Sequence, residues 1–389
     1  MKIIRLLLIS FAFIAPLFVA IPAGSAQNSS PSHKYFVYVG SYTAKTESKG
    51  IYLYEFSTDT GKLTPKGLAS ETADPSWLAI HPNGKFLYAA NETDKNGTIS
   101  AFAIDSKTGK LTLLNKLSAL GESPCYLSFD QTGRYLFVAN YTSGSVVVFA
   151  ILADGSLGAH TSLLTDQGTV GPNKKRQEGP HAHWIQASPD NKSVYVADLG
   201  LDRILVYRFD VAKGTLTPSE PMDKSSAVVT PGDGPRHIIF SANQKYMYVL
   251  SELTGTVTVF SSDGHNTFKN LQEIPGLPQG FNGRNDAAEI AMLPGGKFLY
   301  TSNRGHDAIS VFAVDSAKGT LTQIADVPTG GKEPRHFAID PTGHYLLAEN
   351  QNSNTIVEFS IDKNTGALTK VDTVDGVISP ISIAFLPVH

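Results

Sequence analysis

Short apolar segments separated by turn residues run along almost the whole chain. The clearest are pairs of strand-like runs joined by Pro, Asn, Asp or Gly, as in HPNGKFLYAAN from His81 and FDQTGRYLFVAN from Phe129. Other runs, such as TISAFAID and TVTVFSS, alternate apolar with polar residues, which is the period of a half-buried β-strand. No stretch longer than a turn has the period of a helix. The pattern predicts an all-β protein.

The paired runs recur six times at a spacing near fifty residues. The basic residue or histidine after the turn stands at 85, 134, 192, 245, 297 and 344, so successive copies are 49, 58, 53, 52 and 47 residues apart. Each unit contains a short apolar strand, the second strand of the hairpin, an alternating third strand, and a more polar fourth strand after a turn such as DSAKGTLT. A period of this length made only of strands indicates a propeller or a solenoid.

The N-terminal and C-terminal segments together supply the strands of one repeat unit. Seven first strands and seven second strands can be counted. The segment PISIAFLP from Pro380 is a first strand with nothing after it, and the segments from Tyr35 supply three strands that lack a first one. We therefore predict a seven-bladed β-propeller of four-stranded blades, in which N- and C-terminal strands share one blade and close the ring. An open solenoid would need capping repeats, and the sequence has none.

Residues 1–26 have the three-part pattern of a secretory signal peptide. A short basic start leads into an apolar run, and small residues end it at Ala26. A membrane anchor is the alternative, but Pro16 and Pro22 interrupt the apolar run. We predict cleavage after Ala26, a propeller domain over residues 27–389, no membrane attachment after cleavage, and a periplasmic or extracellular location.

The composition excludes several classes of function. Cleavage would remove two of the 32 basic residues and none of the 35 acidic ones, leaving a net charge of −5 that gives no sign of a nucleic-acid partner. The single cysteine, Cys125, allows no internal disulfide and lacks any neighbouring sequence that marks a nucleophile. Glycine-rich phosphate loops and zinc-binding HExxH motifs are absent. We expect no cofactor, no metal and a monomeric protein.

Ionisable residues concentrate where first strands begin and second strands end. In a propeller these points meet at one mouth of the central channel, and several convergent ionisable groups in a cavity indicate a functional site. The strand starts contribute His181, His183, Arg236, His237, Glu289, Arg335 and His336. The strand ends contribute Asn91, Asn140, Asp198, Glu252, Asn303, Arg304, Glu349 and Asn350.

Many of these residues also have a structural interpretation. Asparagine at a strand end often stabilises a turn, which applies to Asn91, Asn140 and Asn350. Asp198 could end its strand and pair with Arg203. His181 and His183 are two residues apart and so share a side of a strand, but two histidines without a third ligand do not make a metal site.

The two PRH tripeptides have a similar alternative. Their arginines, Arg236 and Arg335, could form a repeated ion pair with Glu252 or Glu349. The histidines that follow, His237 and His336, are expected to point the other way along the strand and to be buried and hydrogen-bonded.

Four long segments resemble the seven-bladed propeller lactonase family, which includes propeller-type 6-phosphogluconolactonases and fungal carboxymuconate cyclases. They are HAHWIQASPDNKSVYVADLGLDRILVY, GPRHIIFSANQKYMYVLSELTGTVTVF, AAEIAMLPGGKFLYTSNRGHDAISVF and PRHFAIDPTGHYLLAENQNSNTIVEF. The resemblance extends from about Tyr35 to the end of the chain. It implies a metal-independent enzyme that opens or closes a lactone ring at the channel mouth. The active-site His, Arg, Glu and Arg of the family fall on His183, Arg236, Glu252 and Arg304.

The resemblance implies a role for each of these residues. His183 would take a proton from water or relay one to the leaving oxygen, and Arg236 and Arg304 would hold the anionic group and the developing oxyanion. Glu252 would orient its neighbours or be the base itself. The candidate substrate-binding residues are His181, Asp198, Glu289, Arg335 and Asn350.

The basic residues predict that the substrate is an anionic lactone, carboxylated or phosphorylated. Arg236, Arg304 and Arg335 stand at the same mouth, and the insertion in the 58-residue repeat adds Lys174, Lys175 and Arg176 just before His181. A lactone-forming cyclase acting on a carboxylated diene and a non-catalytic exported binding module are the alternatives. A sugar phosphate is an unusual metabolite outside the cytosol, so the sequence leaves open which lactone is used.

Overall fold

The computed structural model describes residues 33–219 and 226–388. These residues form 29 β-strands and contain no helix. Within them there is accordingly no helix that could cross a membrane. The predicted signal peptide, residues 1–26, lies outside the described residues. The first sixteen strands are β1 Lys34–Ser41, β2 Gly50–Ser57, β3 Lys62–Glu71, β4 Pro75–Ile80, β5 Phe86–Asn91, β6 Thr98–Ile104, β7 Leu111–Ser118, β8 Pro124–Phe129, β9 Tyr135–Asn140, β10 Ser145–Ile151, β11 Leu157–Thr165, β12 Ala182–Ala187, β13 Ser193–Asp198, β14 Arg203–Asp210, β15 Thr215–Pro218 and β16 Ala227–Val228. The remaining strands are β17 Pro235–Phe240, β18 Tyr246–Ser251, β19 Thr256–Ser262, β20 Phe268–Pro275, β21 Asp286–Met292, β22 Phe298–Arg304, β23 Ala308–Val314, β24 Leu321–Pro328, β25 Pro334–Ile339, β26 Tyr345–Asn350, β27 Thr355–Ile361, β28 Leu368–Asp375 and β29 Pro380–Pro387.

The strands form seven antiparallel sheets, which are the blades of a propeller. Blade 1 has the order β29-β1-β2-β3, blade 2 is β4 to β7, and blade 3 is β8 to β11. Blade 4 is β12 to β16, with its outer position divided between β15 and β16, which both pair with β14. Blades 5, 6 and 7 are β17 to β20, β21 to β24 and β25 to β28. The predicted all-β fold with seven blades of four strands is confirmed.

Blade 1 closes the ring in the predicted way. Strand β29 pairs antiparallel with β1, from Tyr35 opposite Pro387 to Ser41 opposite Pro380. The innermost strand of every blade contacts that of the next, and the series returns from β25 through β29 to β4. The blade that holds both chain ends is therefore as continuous with its neighbours as the others.

Turn glycines let the blades pack closely against one another. The Tyr88 hydroxyl donates a hydrogen bond to the carbonyl of Gly155 in the next blade, at 2.7 Å. Gly155 has a φ of 86°, and a Cβ atom there would lie 2.3 Å from the ring of Phe86. Only glycine combines that left-handed backbone with such a close aromatic neighbour, which explains the glycine in this recurring turn.

Each innermost strand carries a register shift close to its start, after the first residue in six strands and after the second, Ala287, in β21. A bulge of this kind interrupts the alternation of side chains and turns two successive residues to one side. Arg236 and His237 therefore both face the channel, as do Arg335 and His336. The prediction that the two histidines are buried is confirmed, but the prediction that they point away from the arginines is wrong because it assumed a regular strand.

Candidate active site

One position of the repeat contributes Glu92, Tyr141, Glu252 and Arg304 to the channel mouth, in blades 2, 3, 5 and 6. It directly follows the Asn, Asp or Ser that ends the second strand, and the seven residues at this position are Tyr42, Glu92, Tyr141, Leu199, Glu252, Arg304 and Gln351. The sequence prediction includes Glu252 and Arg304, but in blades 2 and 3 it names Asn91 and Asn140, which are one residue too early. It therefore misses Glu92 and Tyr141, although aligning the repeats shows that they are equivalent to Glu252 and Arg304.

The strand-end asparagines themselves stabilise the neighbouring turns. The Asn91 side chain donates to the hydroxyl of Thr72 at 2.7 Å and accepts from Ser100 at 2.7 Å. The Asn140 side chain donates to the Ala119 carbonyl at 3.2 Å. These bonds follow the structural interpretation of such asparagines, because alternation along the strand turns only the next residue toward the channel.

A cavity of about 320 Å³ opens at this mouth. A second cavity of about 10 Å³ lies deeper in the channel and shares Glu92, His183 and Arg335 with the first. Of the four predicted catalytic residues, three line the larger cavity and Arg236 lines the smaller one. The complete lining of the larger cavity is Glu92, Tyr141, Arg176, His183, Glu252, Arg284, Asp286, Arg304 and Arg335.

Glu252 is the centre of the charged cluster. Its Oε2 lies 2.9 Å from Nε of Arg236 and 3.1 Å from Nη2 of Arg304. The same oxygen is 3.8 Å from Nε2 of His183, and Oε1 accepts a hydrogen bond from Arg176. Burial alone would raise the pKa of Glu252, but the arginines, Arg304 foremost, hold it well below its ordinary value. The group is thus a firmly ionised carboxylate and a weak base.

His183 has the opposite character. Its side chain is only 6% exposed, and burial, reinforced by the Arg236 guanidinium, holds the pKa of His183 well below its ordinary value. The ring edge packs against Tyr141 with centroids 5.5 Å apart, and Nδ1 lies 3.8 Å from Sγ of Cys125. His183 is therefore a neutral imidazole at neutral pH, able to accept a proton at the cavity wall.

Arg236 and Arg304 donate hydrogen bonds to backbone carbonyls, and each retains an N–H group without a partner among the described residues. Arg304 donates from Nε to the Asp286 carbonyl at 2.9 Å and from Nη2 to the Ala287 carbonyl at 3.3 Å. Arg236 donates from Nη1 to the Ala288 carbonyl. Within the described residues, Nη1 of Arg304 and Nη2 of Arg236 make no hydrogen bond. These nitrogens are available to an oxygen in the cavity.

Arg335 is the least engaged arginine of the cavity. Its Nη2 is 3.6 Å from Oε1 of Glu92, and its guanidinium lies 5.4 Å from the ring centre of Tyr42, whose hydroxyl donates to Glu92 at 2.7 Å. The alternative partner proposed from sequence, Glu349, instead contacts His336. Among the described residues the Arg335 guanidinium has no hydrogen bond of ordinary length, so its donors remain open to a ligand.

The sequence predicts that the insertion before His181 brings Lys174, Lys175 and Arg176 over the mouth, and the structure places Arg176 there. Arg176 bridges two blades, with Nη1 3.1 Å from Asp286 and Nη2 bonded to Glu252. Its side chain is 34% exposed, so it is the outermost partner of the buried glutamate. The adjacent Lys174 and Lys175 are exposed and do not line the cavity.

Carboxylates offset most of the positive charge at the mouth. Arg284 contacts Asp286 at 2.6 Å and Glu333 at 2.5 Å. The larger cavity is lined by four arginines, Arg176, Arg284, Arg304 and Arg335, and by three carboxylates, Glu92, Glu252 and Asp286. The excess is one positive charge, far less than the sequence suggests when the arginines are considered alone.

Three other predicted residues lie outside both cavities. The ring of His181 stacks on Tyr141 with centroids 4.5 Å apart, and its Nδ1 is 3.0 Å from the Tyr141 carbonyl. Asn350 is fully buried and donates to the Thr355 hydroxyl at 3.3 Å. Asp198 is likewise buried, whereas Glu289, the remaining candidate, lines the smaller cavity.

Asp198 belongs to a buried carboxyl pair behind the mouth. Its Oδ1 accepts hydrogen bonds from the backbone N–H groups of His181 at 2.9 Å and Leu201 at 3.0 Å. Its neighbour Asp166 accepts a hydrogen bond from the Tyr207 hydroxyl. Burial raises the pKa of both carboxyls, and in Asp166 the adjacent Asp198 adds to the rise. The pair supports the loop that leads into β12.

The described residues contain no group of three or more His, Cys, Asp or Glu side chains arranged to hold a metal ion. The arrangement at the mouth is instead a neutral imidazole beside an ionised carboxylate and several guanidinium groups. Such a set can remove a proton from water and stabilise negative charge on an oxygen.

Comparison with known proteins finds matches over most of the chain. The sequence profile of the family described as lactonase, seven-bladed beta-propeller, matches residues 36–385. The 6-phosphogluconolactonase of Bacillus subtilis strain 168 is 37% identical over 305 residues, which cover 78% of this chain and 84% of that protein. The 6-phosphogluconolactonase of Formosa agariphila is 35% identical over 311 residues, or 78% and 86% of the two chains. The solved structure of a periplasmic gluconolactonase from Pseudomonas aeruginosa is 34% identical, covers 92% of this chain and 100% of its own, and has a TM-score of 0.86.

Proposed function

The chain belongs to the seven-bladed β-propeller lactonase family, and we propose that it hydrolyses an anionic sugar lactone, carboxylated or phosphorylated, in the cavity at the channel mouth. The observation that carries this proposal is the neutral His183 beside arginines whose orientation depends on one ionised carboxylate, Glu252. Relatives named 6-phosphogluconolactonase and gluconolactonase support the same class of reaction.

In the proposed reaction His183 is the general base. It accepts a proton from water as the water oxygen bonds to the lactone carbonyl carbon, and the carbonyl π electrons move to the oxygen. The unengaged nitrogens of Arg236 and Arg304 donate hydrogen bonds to that oxyanion. When the carbonyl re-forms, the ring C–O bond breaks, and protonated His183 returns its proton to the leaving alkoxide. The product is the open-chain hydroxy acid.

Glu252 is assigned a holding role instead of a proton-transfer role. Both of its oxygens are already engaged by arginines, Oε1 by Arg176 and Oε2 by Arg236 and Arg304, so neither is open to take a proton from water. Its contacts with Arg236, Arg304 and His183 instead keep these three groups facing one another.

Arg335 is proposed to bind the anionic group of the substrate. It lines the cavity, its donors are open, and among the described residues its one contact with a carboxylate, Glu92, is 3.6 Å long. Arg176 would meet the substrate first because it is the more exposed of the two.

The proposal is tested by measuring hydrolysis of phosphorylated, carboxylated and neutral sugar lactones. Preferred turnover of an anionic lactone supports it. Ring formation from a carboxylated diene without hydrolysis of any lactone would favour the cyclase alternative. Tight lactone binding without turnover would favour a binding module.

Arg335→Gln is expected to lower kcat/KM for an anionic lactone by about 10-fold or more, the loss of one charge-assisted contact of about 1.5–3 kcal/mol. The value for a neutral lactone should change by less than about 3-fold. Steady-state kinetics with both substrates at two salt concentrations check this, since salt weakens the charged contact. Arg208→Gln, at an exposed arginine on β14, is the matched control. Equal losses for both substrates would mean that Arg335 does not sense substrate charge.

We also propose that the protein is an exported monomer, cleaved after Ala26. The pattern of residues 1–26 supports export, and one solved relative is described as periplasmic. After cell fractionation, N-terminal mass spectrometry should find Gln27 as the first residue outside the cytosol. A protein retained in the cytosol that begins at Met1 would overturn the proposal.

A further inference from the structure

A chain of buried titratable side chains continues from Arg236 into the channel, and the reaction proposed above does not use it. It consists of His237, Glu289, His336 and Glu349, which we call the buried polar chain. Each of the four is 7% exposed or less. Blades 5, 6 and 7 each contribute to it, so it spans nearly half of the ring.

The hydrogen bonds at its outer end have a fixed direction. Nη1 of Arg236 lies 3.3 Å from Nε2 of His237. A guanidinium group only donates, so Nε2 must be the acceptor and the imidazole proton must be on Nδ1. That nitrogen is 3.1 Å from Oε1 of Glu289, which completes the second hydrogen bond. Burial lowers the pKa of His237 to about 4, in agreement with a neutral ring that carries one proton.

The inner end holds Glu289 in place. Its Oε1 also accepts from the backbone N–H of Ile290 at 2.9 Å, and its Oε2 lies 3.6 Å from Nε2 of His336. Nδ1 of His336 is in turn 2.7 Å from Oε2 of Glu349. His336 thus lies between two carboxylates. Burial lowers its pKa, but the hydrogen bond that it shares with Glu349 and the charges of Glu349 and Glu289 together raise it above the ordinary value.

Aromatic rings pack closely against the two imidazoles. Trp77 packs against His237 and His336 at centroid distances of 5.4 Å each, and Tyr126 packs against His237 at 5.2 Å. The orientation of each imidazole therefore depends on the carboxylate that accepts its Nδ1 proton, which is Glu289 for His237 and Glu349 for His336.

We propose that the buried polar chain is a positioning device for Arg236. Glu289 selects the tautomer of His237, and that tautomer gives Arg236 the acceptor that keeps Nε on Glu252 and Nη2 toward the reacting oxygen. The expected effect on kcat rests on the proposed lactonase reaction. The hydrogen-bond pattern does not depend on that reaction. Glu289 and His237 are therefore positioning residues that act through Arg236.

Glu289→Leu should lower kcat by about 10-fold or more and leave KM within about 2-fold, although Glu289 lies behind His237 relative to Arg236. Glu289→Gln retains the carbonyl acceptor and should keep kcat within about 3-fold of the parent. The loss should be equal for neutral and anionic lactones, because it concerns the oxyanion and not the substrate's charge.

A double-mutant cycle with Arg236→Gln separates positioning from a general structural effect. If Glu289 acts through Arg236, Glu289→Leu should cause no further loss of kcat in the Arg236→Gln background. His237→Phe keeps the aromatic packing and should give the same result if the leucine variant does not fold. The matched controls are Glu358→Leu and Glu358→Gln, at a fully buried glutamate that accepts from the Leu63 N–H at 3.0 Å away from both cavities. These controls should alter stability without changing kcat.

A second readout does not depend on activity. In ¹⁵N NMR of histidine-labelled parent protein, His237 should be a neutral ring protonated on Nδ1, and Glu289→Leu should move that proton to Nε2. Additive losses in the cycle, or a His237 that is protonated on Nε2 in the parent, would overturn the positioning chain. A parent that shows this tautomer but hydrolyses no lactone would overturn the proposed function alone.

Discussion

Replacing His183 with alanine will lower kcat for lactone hydrolysis by about 10²-fold or more and leave the propeller folded. The magnitude is that of a lost general base. No other neutral imidazole lines the larger cavity, within the residues that the structure describes, and Glu252 is too acidic to take over. Folding should be unaffected because the His183 side chain makes no hydrogen bond shorter than 3.8 Å to the described residues.

The measurement is steady-state kinetics together with thermal unfolding. His160→Ala, at an exposed histidine on β11, is the matched control and should change neither quantity. Addition of a chelator should leave the parent's kcat unchanged. If His183→Ala retains activity within a few-fold, the base is Glu252 or a water network held by the arginines.

The pH dependence supplies a second check on His183. Its pKa lies well below the ordinary value because of burial and the nearby Arg236. The base is therefore active above that lowered pKa, and kcat/KM falls only as the pH drops through it. We expect activity to be flat from about pH 6.5 upward into the neutral range and to decline in more acidic buffer. A decline that begins above neutral pH on acidification would show that His183 is not the base.

Glu252→Gln will combine a loss of stability with a loss of activity, in contrast to His183→Ala. The change leaves Arg236 and Arg304 buried without their carboxylate, and breaking a buried ion pair costs about 3–5 kcal/mol. We expect the free energy of unfolding to fall by at least about 3 kcal/mol and kcat by about 10²-fold or more, since both oxyanion donors lose their support.

Chemical unfolding and kinetics on the same samples test this prediction. Glu358→Gln, at another fully buried glutamate whose pKa burial raises to about 7, is the control for the effect of the substitution itself. Glu252→Asp should recover part of the stability because it keeps the charge. Unchanged stability in Glu252→Gln would mean that the backbone carbonyls of Asp286, Ala287 and Ala288 are sufficient to hold the arginines.

The sequence predicts the fold well because the repeat supplies the same evidence several times. Each hairpin alone is a weak signal, but their common spacing and the unpaired strand at Pro380 require a closed ring. The repeat also exposes candidate site residues, because His183 and Arg236 stand where other copies have Ser or Cys, and Glu252 and Arg304 stand where others have Tyr, Leu or Gln. Departures from a repeat are easier to interpret than the same residues in an irregular chain.

What the sequence does not predict depends on contacts between blades. Glu92 lies two blades away from Arg335 around the ring, and nothing in the local pattern couples them. The partner of Asp198 is Asp166, which follows a fourth strand, and not Arg203, which donates instead to the Ser226 hydroxyl at 2.9 Å. The bulges that turn His237 and His336 into the channel change no residue type and so leave no trace in the hydrophobic pattern.

The pairing of β1 with β29 also determines at which stage of folding the ring can close. Six blades are each made from one continuous segment and can assemble as soon as that segment has been synthesised. Blade 1 must wait for its last strand, because Tyr35 and Pro387 are neighbours in space but lie near opposite ends of the chain. Closing so long a loop is entropically costly and slow beside the formation of local hairpins. Under the export that we propose, this order of events would delay the closing of the ring until translocation of the unfolded chain is nearly finished.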